Sequence, residues 1–226
     1  MVYLEDGKVM NSVIYEDNHI IVVYKSENVP VCLDESKDKD LLSIIKDYLK
    51  EKYNKPGNVY LGLVHRLDRP VSGIMVFAKT SKAASRLSEQ VRNKTFKKTY
   101  YAVCCGKTKE RDTLVDKLLK DEKNNIVRVD NKGKEAILDY ELVSYKDNLS
   151  LVKINLKTGR FHQIRVQFSS RNLPLYGDNK YNKTAKVGEQ IALFSKKIEF
   201  IHPTTKENMK FELDLPNKYP WNIFED

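Results

Sequence analysis

Cysteine and histidine are scarce in this chain of 226 residues. The three cysteines are Cys32, Cys104 and Cys105, and the four histidines do not recur at the short spacings of a metal site. Two adjacent cysteines cannot bridge each other in ordinary disulfide geometry, and no C-x-x-C pair is present. We therefore expect a reduced protein with neither a disulfide framework nor a bound metal.

Long apolar runs and linker segments are also missing. The longest apolar runs are strand-sized, far short of the roughly 20 residues that a membrane-spanning helix needs. Residues 1–7 have neither a basic start nor an apolar core, so we expect no secretory signal peptide. Glycine and proline are scattered, and no serine-rich linker or internal repeat divides the sequence. These absences predict a cytoplasmic protein with one domain over residues 1–226.

The charge is shifted toward lysine and arginine. The chain has 40 basic and 31 acidic residues, a net charge of +9. Such a balance suits a polyanionic partner, because neutralising phosphates with lysine and arginine drives association with nucleic acids. It also occurs in ordinary proteins, and we interpret the short charged runs at 34–40 and 107–111 as solvated loops. The net charge therefore favours a nucleic-acid partner but is equally compatible with an ordinary basic protein.

The apolar pattern predicts strands with a few interspersed helices. Strands are expected over 13–24 (a pair with a turn at Asp17-Asn18), on both sides of residue 68, and over 97–106, 136–145, 149–156, 190–201 and 209–213. Asp40 and Ser81 are the expected N-caps of two helices. Hairpin-like runs of strands favour an α+β fold with a largely antiparallel sheet.

Residues 65–73 read His-Arg-Leu-Asp-Arg-Pro-Val-Ser-Gly and form the most informative stretch. Its one carboxylate, Asp68, lies between two arginines, and apolar runs at 59–64 and 74–78 flank the whole segment. A charged loop held between two buried strands is a setting in which a catalytic group is kept still. A surface turn with a local ion pair would give the same pattern, so this motif alone leaves both interpretations open.

Residues 157–168 form a second candidate motif. Thr158 and Gly159 end a β-type run over 149–156, and the pattern that follows is typical of a helix. At helical spacing the apolar side chains share one face: Phe161, Ile164 and Phe168.

Arg165 lies on that same apolar face, four residues after Phe161. An arginine directed into an apolar interior needs an anion, because a buried unpaired charge is very costly. Asp68, in its own apolar frame, is the best candidate for that anion. The alternative is that Arg165 extends along the stripe and places its guanidinium in solvent.

Together these motifs resemble the RluA family of pseudouridine synthases. Three stretches carry the resemblance: 65–73, 159–165, and 98–103, where a lysine is followed two residues later by an active-site tyrosine. Residues 177–181 and 202–203 are similar to later landmarks of the family, in the right order, and the match extends over about 13–216. Val71 and Phe161 stand where other residues are commoner, which affects loop hydrogen bonding or RNA fit but not the proposed chemical groups.

The resemblance implies the fold and the activity. The fold would be a mixed, largely antiparallel sheet with flanking helices and an active-site cleft across its middle. The activity would be that of an isomerase, an intramolecular transferase that converts specific uridines of ribosomal RNA or transfer RNA to pseudouridine without cofactor or metal. Asp68 would be the nucleophile, whether at the sugar or at the base. Arg165 would hold and compensate its charge, and Tyr100 would stack on the target base.

The resemblance also suggests RNA contacts. Arg66 would fill the space that the flipped uridine vacates, and His65, Arg69, Arg160 and Lys180 are further candidates for phosphate or structural contacts. Few residues precede the matched region, so we expect no appended RNA-binding domain and a monomer that captures RNA through its catalytic domain. The main alternative function is a non-catalytic RNA-binding protein of the same fold. A metal-dependent hydrolase is a weaker one, since Asp68 has no acidic neighbour.

Overall fold

The structure is a computed structural model that describes residues 2–5 and 10–224. Within it the chain divides into two compact units. Unit 1 contains residues 1–97 and 197–213, and unit 2 contains residues 98–196 and 214–226. That residues 1–226 act as a single domain stays a prediction.

Unit 1 is built from antiparallel strands and two helices. Its strands are β1 (Val2–Glu5), β2 (Met10–Glu16), β3 (Ile20–Lys25), β4 (Gly62–Leu63), β5 (Ser72–Ala78) and β12 (Asn208–Glu212), and its helices are α1 (Leu41–Lys52) and α2 (Ser81–Arg92). The strands follow the order β1-β2-β3-β5, and β4 pairs with the end of β5. β12 pairs with the C-terminal half of β11 (Leu193–Ile201), a strand that crosses from unit 2 into unit 1.

The local sequence explains these elements. The Asp40 side chain accepts a hydrogen bond from the Ser43 amide at 3.1 Å and caps α1, as predicted. The predicted N-cap of α2, Ser81, is instead its first helical residue. The N-cap is the preceding residue, Thr80. β3 and β5 are almost continuously apolar because both belong to the core of the unit, where α2 and Phe200 of β11 pack.

Over the described residues, unit 2 consists of five antiparallel strands, the first half of β11 and one short α-helix. Its strands are β6 (Lys97–Cys105, of which Lys97 belongs to unit 1), β7 (Arg111–Asp121), β8 (Ile126–Val129), β9 (Lys134–Lys146) and β10 (Leu149–Leu156), in the order β6-β10-β9-β7-β8. Helix α3 (Gln163–Ser169) contacts β7 and β8, and a 3-10 helix (Trp221–Phe224) follows near the C-terminus. A core cluster joins α3 to three of these strands and contains Leu118 of β7, Val127 of β8, Ala136 of β9 and Val166 of α3.

Most predicted elements are confirmed, and the α+β class with largely antiparallel pairing is correct. The hairpin formed by β7 and β8 was not predicted. Charged residues interrupt its alternation, as in the run Arg-Asp-Thr-Leu-Val-Asp-Lys-Leu-Leu-Lys-Asp of β7, and the two buried leucines of that strand are four residues apart. Only pairing with β9 places Leu114 and Leu118 on one buried face.

Candidate active site

Asp68 lies in the loop between β4 and β5 of unit 1. Leu67 and Val71 are buried on either side of it, and Asp68 itself is half-buried. The Val71 amide donates a hydrogen bond to the Asp68 carbonyl at 3.0 Å, which closes the turn at Arg69-Pro70. All seven residues of β5 are buried, whereas β4 has only two half-buried residues. The predicted apolar frame is therefore correct on the β5 side and slight on the β4 side.

Lys25, at the end of β3, is fully buried beneath this loop. Its ammonium donates hydrogen bonds to the backbone carbonyls of Ser26 (3.0 Å), Arg69 (2.9 Å) and Val71 (2.7 Å). Two of these carbonyls belong to the residues that follow Asp68. The lysine therefore fixes the backbone on the C-terminal side of the candidate nucleophile.

Burial lowers the pKa of Lys25 to about 7, and the negative charge of Asp68 opposes that shift. Lys25 was not among the residues predicted from the sequence. The signal was available, because a single lysine ends the apolar run Ile20-Ile21-Val22-Val23-Tyr24 of a buried strand. A lysine in that position has to find hydrogen-bond acceptors inside the protein.

The two arginines beside Asp68 have different surroundings. Arg66 is exposed. Burial raises the pKa of the Cys32 thiol, and the positive charge of Arg66 opposes that rise. Because Leu67 is buried between Arg66 and Asp68, the alternation expected of an extended segment is present. Arg66 is thus an exposed cation two residues before the candidate nucleophile.

Arg69 is engaged by the acidic loop that follows β3. Its guanidinium forms an ion pair with Asp34 at 3.1 Å, donates to the Ser36 hydroxyl at 2.6 Å, and pairs with Asp38. A phosphate contact by Arg69 would have to compete with these carboxylates, so the structural role is the better supported one.

His65 has a structural role in unit 1. It is buried, and its Nε2 accepts a hydrogen bond from the Val76 amide of β5 at 3.2 Å. Its ring also packs on Phe96 at a centroid distance of 5.4 Å. These contacts tie the start of the Asp68 loop to the core of the unit.

The second motif forms a tight turn before α3 in unit 2. The Thr158 hydroxyl accepts from the Ile137 amide at 2.8 Å and donates to the Gln163 side-chain oxygen at 2.8 Å. The same Gln163 oxygen accepts from the Arg160 amide at 2.9 Å. Helix α3 begins at Gln163, so Phe161 is not on the helix, and the predicted three-residue stripe was wrong at its first member. The polar turn before α3 makes the helix begin later than the spacing predicted.

Arg165 is buried, as the first of the two predicted alternatives required. Its Nε and Nη2 donate to the Asp178 carboxylate at 2.8 and 2.6 Å. Asp178 has no exposed side-chain surface, and its Oδ1 also accepts from the Lys180 amide at 3.1 Å. The Tyr181 ring centroid lies 5.2 Å from the guanidinium carbon. Residues 177–181 resemble a family landmark, but the sequence did not predict that Asp178 is a partner of Arg165.

The predicted pairing between Arg165 and Asp68 stays a prediction. Asp68 belongs to unit 1, and Arg165 belongs to unit 2. What the structure adds is that Asp178 supplies one carboxylate to Arg165 from within the same unit.

His162 precedes α3 in a left-handed backbone conformation, with φ of 52°. Its Nδ1 lies 2.7 Å from the Tyr181 hydroxyl, and the Phe161 ring stacks on it at 3.8 Å between centroids. Lys120 of the hairpin lies 4.8 Å above the Phe161 ring. Burial, together with the charges of Arg165, Lys180 and Lys120, lowers the pKa of His162 to about 3, so the imidazole is neutral at physiological pH.

Tyr100 is buried on β6, opposite Ile154 of β10. Its neighbour Tyr101 is half-buried and lies under Lys196, whose Nζ is 5.6 Å from the ring centroid. The predicted alternation of the two tyrosines on this strand is consistent with these different surroundings. Contact of Tyr100 with a target base stays a prediction.

Arg160 and Lys180 are exposed and make backbone contacts. Arg160 Nε donates to the Glu135 carbonyl at 2.8 Å, and Lys180 Nζ donates to the Asn125 carbonyl at 2.9 Å. Each has donors left for a phosphate, so both structural and RNA-binding roles are compatible with their positions.

Two further observations concern metals and membranes. Over residues 2–5 and 10–224, no three His, Cys, Asp or Glu side chains are grouped so that they could hold a metal ion. In the same described part of the chain, no helix has the length and apolar character needed to cross a membrane. All three cysteines are free thiols.

Comparisons with known proteins agree with the motifs. Residues 19–170 match the family described as RNA pseudouridylate synthase. The uncharacterized RNA pseudouridine synthase YjbO of Bacillus subtilis is 35% identical over 207 residues, covering 90% of this chain and 72% of the relative. Ribosomal large subunit pseudouridine synthase C of Vibrio parahaemolyticus is 31% identical over 214 residues, covering 91% of this chain and 66% of the relative.

A solved structure shows the fold. Human RNA pseudouridylate synthase domain containing 4 matches with a TM-score of 0.76 at 19% identity, covering 90% of this chain and 88% of that one. A second human structure, RNA pseudouridylate synthase domain containing 1, matches with a TM-score of 0.73 at 21% identity, covering 90% and 83% of the two chains. At this level of identity the likeness concerns architecture alone, and it confirms the predicted fold.

Proposed function

The chain belongs to the RNA pseudouridylate synthase family and is an isomerase that acts on RNA, and we propose that Asp68 is the nucleophile with which it converts specific uridines to pseudouridine. The observation that carries the proposal is the anchoring of the Asp68 loop. Lys25 holds the backbone after Asp68 by two hydrogen bonds, and the buried strand β5 follows directly. A nucleophile has to be held close to its productive geometry, and such packing supports that role.

The reaction requires no co-substrate, because uridine and pseudouridine are isomers. The bond between C1′ of the ribose and N1 of the base breaks, the base rotates, and a bond forms between C1′ and C5. The proton on C5 is then lost, and N1 gains one. A carboxylate that forms a covalent intermediate divides this difficult exchange into easier steps.

Arg165 and Tyr100 are proposed to complete the catalytic group. Arg165 would compensate the charge of Asp68 and so keep the carboxylate ionised in a dry site. Tyr100, as a buried aromatic residue with a hydroxyl, can stack on the uracil and handle the proton on C5.

Arg66 is proposed to enter the space left by the flipped base. It is exposed and lies two residues before Asp68, so the distance along the extended chain is short. Flipping a nucleotide costs a few kcal/mol, and an inserted cation with hydrogen-bond donors offsets part of that cost.

The proposed substrate is ribosomal RNA or transfer RNA. One relative is named for the large ribosomal subunit. The charge of +9 supports a polyanionic partner for a protein proposed to act as a cytoplasmic monomer, without metal or cofactor.

The test is pseudouridine mapping of ribosomal and transfer RNA from cells with and without this protein. Loss of pseudouridine at defined positions, restored by the wild-type gene and not by Asp68→Asn, is the expected result. The purified protein should then modify the same positions in transcripts made in vitro. Tight RNA binding without conversion of any uridine would instead favour a non-catalytic RNA-binding protein of the same fold.

A further inference from the structure

Lys98 is a half-buried lysine that the proposed mechanism does not use. It lies on β6 two residues before Tyr100, and burial lowers its pKa. Its Nζ is 3.2 Å from the position that a Cβ would take on Gly159, so the ammonium lies against the turn of the second motif. A glycine at 159 leaves room for this group.

Lys98 has no partner in the described part of the chain. Over residues 2–5 and 10–224 its ammonium has neither a hydrogen-bond acceptor nor a counter-ion. Lys25, which is fully buried, has three acceptors. Keeping a partly desolvated ammonium unpaired is unfavourable, and an anion that binds beside it would remove that cost.

We propose that Lys98 is a substrate-binding residue that contacts a phosphodiester of the RNA next to the target uridine. The inference rests on the proposed function and adds a specific contact to it. Lys98 and Tyr100 point to the same face of β6, about 7 Å apart along the strand. In a nucleotide the base and the phosphates extend from opposite sides of the ribose. A base stacked on Tyr100 would therefore bring an adjacent phosphate toward Lys98.

The exposed neighbour Lys97 offers a matched control. It belongs to the same strand and carries the same charge, but its side chain points to the opposite face and is exposed. Three variants are compared with the wild type: Lys98→Met, Lys98→Arg and Lys97→Met. The RNA is a synthetic stem-loop that spans a uridine found in the mapping experiment above.

Lys98→Met is expected to weaken RNA binding by about tenfold at low salt and to lower the slope of log affinity against log salt by about 0.7–0.9. Lys98→Arg should keep most of the affinity and the slope, and Lys97→Met should change neither. The melting temperature of Lys98→Met should equal or exceed that of the wild type, because no internal contact is lost. A lower melting temperature with unchanged binding would show a structural role and overturn the proposal.

Neutral phosphates locate the contact. Stem-loops with a single methylphosphonate on the 5′ or the 3′ side of the target uridine are measured with the wild type and with Lys98→Met. At one of the two positions the neutral linkage should weaken binding by the wild type and have no effect on Lys98→Met. If both proteins respond equally at both positions, or if kcat falls while affinity and salt slope stay unchanged, Lys98 does not bind phosphate.

The proposed function and this inference can fail separately. Absence of uridine conversion by the wild-type protein would refute the function. Normal conversion by the wild type, with Lys98→Met unchanged in affinity, salt slope and methylphosphonate response, would refute only the role of Lys98.

Discussion

Arg165 and Asp178 form a buried ion pair with two hydrogen bonds, Nε to Oδ2 at 2.8 Å and Nη2 to Oδ1 at 2.6 Å. Their side chains are 6% and 0% exposed. Arginine has five N–H donors, and Asp178 takes two of them along one edge of the guanidinium. Asp178 therefore fixes the direction of the Arg165 guanidinium within unit 2.

We expect Arg165→Met and Asp178→Asn each to lower the free energy of unfolding by about 3–5 kcal/mol, because each leaves one buried ion without its partner. The double variant, which has neither charge, should be destabilised by much less than the sum. Urea unfolding of the four proteins measures this. If the losses of unfolding free energy in the two single variants add up in the double variant, the interaction between Arg165 and Asp178 contributes little to stability.

The same variants separate stability from catalysis. The double variant should remain nearly inactive, because Arg165 is absent whatever the fold. If Arg165 pairs with Asp68 as proposed, the residual activity should rise with pH, because loss of the guanidinium makes the carboxyl group harder to ionise. Normal turnover of bound RNA, with weaker binding and a smaller salt dependence of the affinity, would instead make Arg165 a phosphate contact.

Asp68→Asn should abolish isomerisation and leave folding and RNA affinity nearly unchanged. Asparagine has a similar shape but is a poor nucleophile. Pseudouridine formation is measured on the mapped RNA, with melting temperature and affinity as controls. Residual activity within about tenfold of the wild type would refute the nucleophile assignment, given that such nucleophiles contribute many orders of magnitude.

Lys25→Met should change the pH dependence of stability. The pKa of Lys25 falls from 10.5 to about 7 on folding. Between these values the unfolded chain holds more protons than the folded one, so this lysine makes stability rise with pH from about 7 to about 10.5. The difference in unfolding free energy between the wild type and Lys25→Met should therefore increase in favour of the wild type over that range.

Urea unfolding at about pH 6.5, 8 and 9.5 tests this difference, with the exposed Lys97→Met as the control that should show none. A difference that is constant with pH would mean that Lys25 stays protonated in the folded protein. Activity should also fall in Lys25→Met, because the carbonyls of Arg69 and Val71 lose the donor that fixes them.

Tyr100→Phe should separate the ring of this residue from its hydroxyl. The ring can still stack on a base, so RNA affinity should be retained, while kcat should fall by about 10²–10⁴ if the hydroxyl moves the C5 proton. Tyr101→Phe on the opposite face is the control and should behave as the wild type. Full activity of Tyr100→Phe would limit Tyr100 to stacking.

Chelators should leave turnover unchanged. In the described part of the chain no cluster of metal-ligating side chains exists, and Asp68 is a lone carboxylate in its motif. Activity is measured after dialysis against EDTA and again after addition of Mg²⁺ or Zn²⁺. Loss in EDTA and recovery with one of these ions would contradict the metal-free mechanism.

Local sequence was sufficient to predict most of the helices and strands and to recognise the motifs. Period-two alternation located most strands, Asp40 marked the start of α1, and the segments 65–73 and 159–165 identified the family. It was insufficient where charged residues interrupt the pattern. The hairpin of β7 and β8 was missed for this reason, and the polar turn at Phe161-His162 made α3 shorter than spacing predicted.

The sequence by itself determined which chemical groups this protein has and which family it belongs to, because those follow from residue types at fixed short spacings. Only the tertiary structure decided which groups meet. It placed Lys25 under the Asp68 loop, Asp178 against Arg165, and the acidic loop after β3 on Arg69. The physical reason is that such contacts join residues far apart in the chain, and strand register and turn geometry, not local periodicity, bring their side chains within hydrogen-bonding distance.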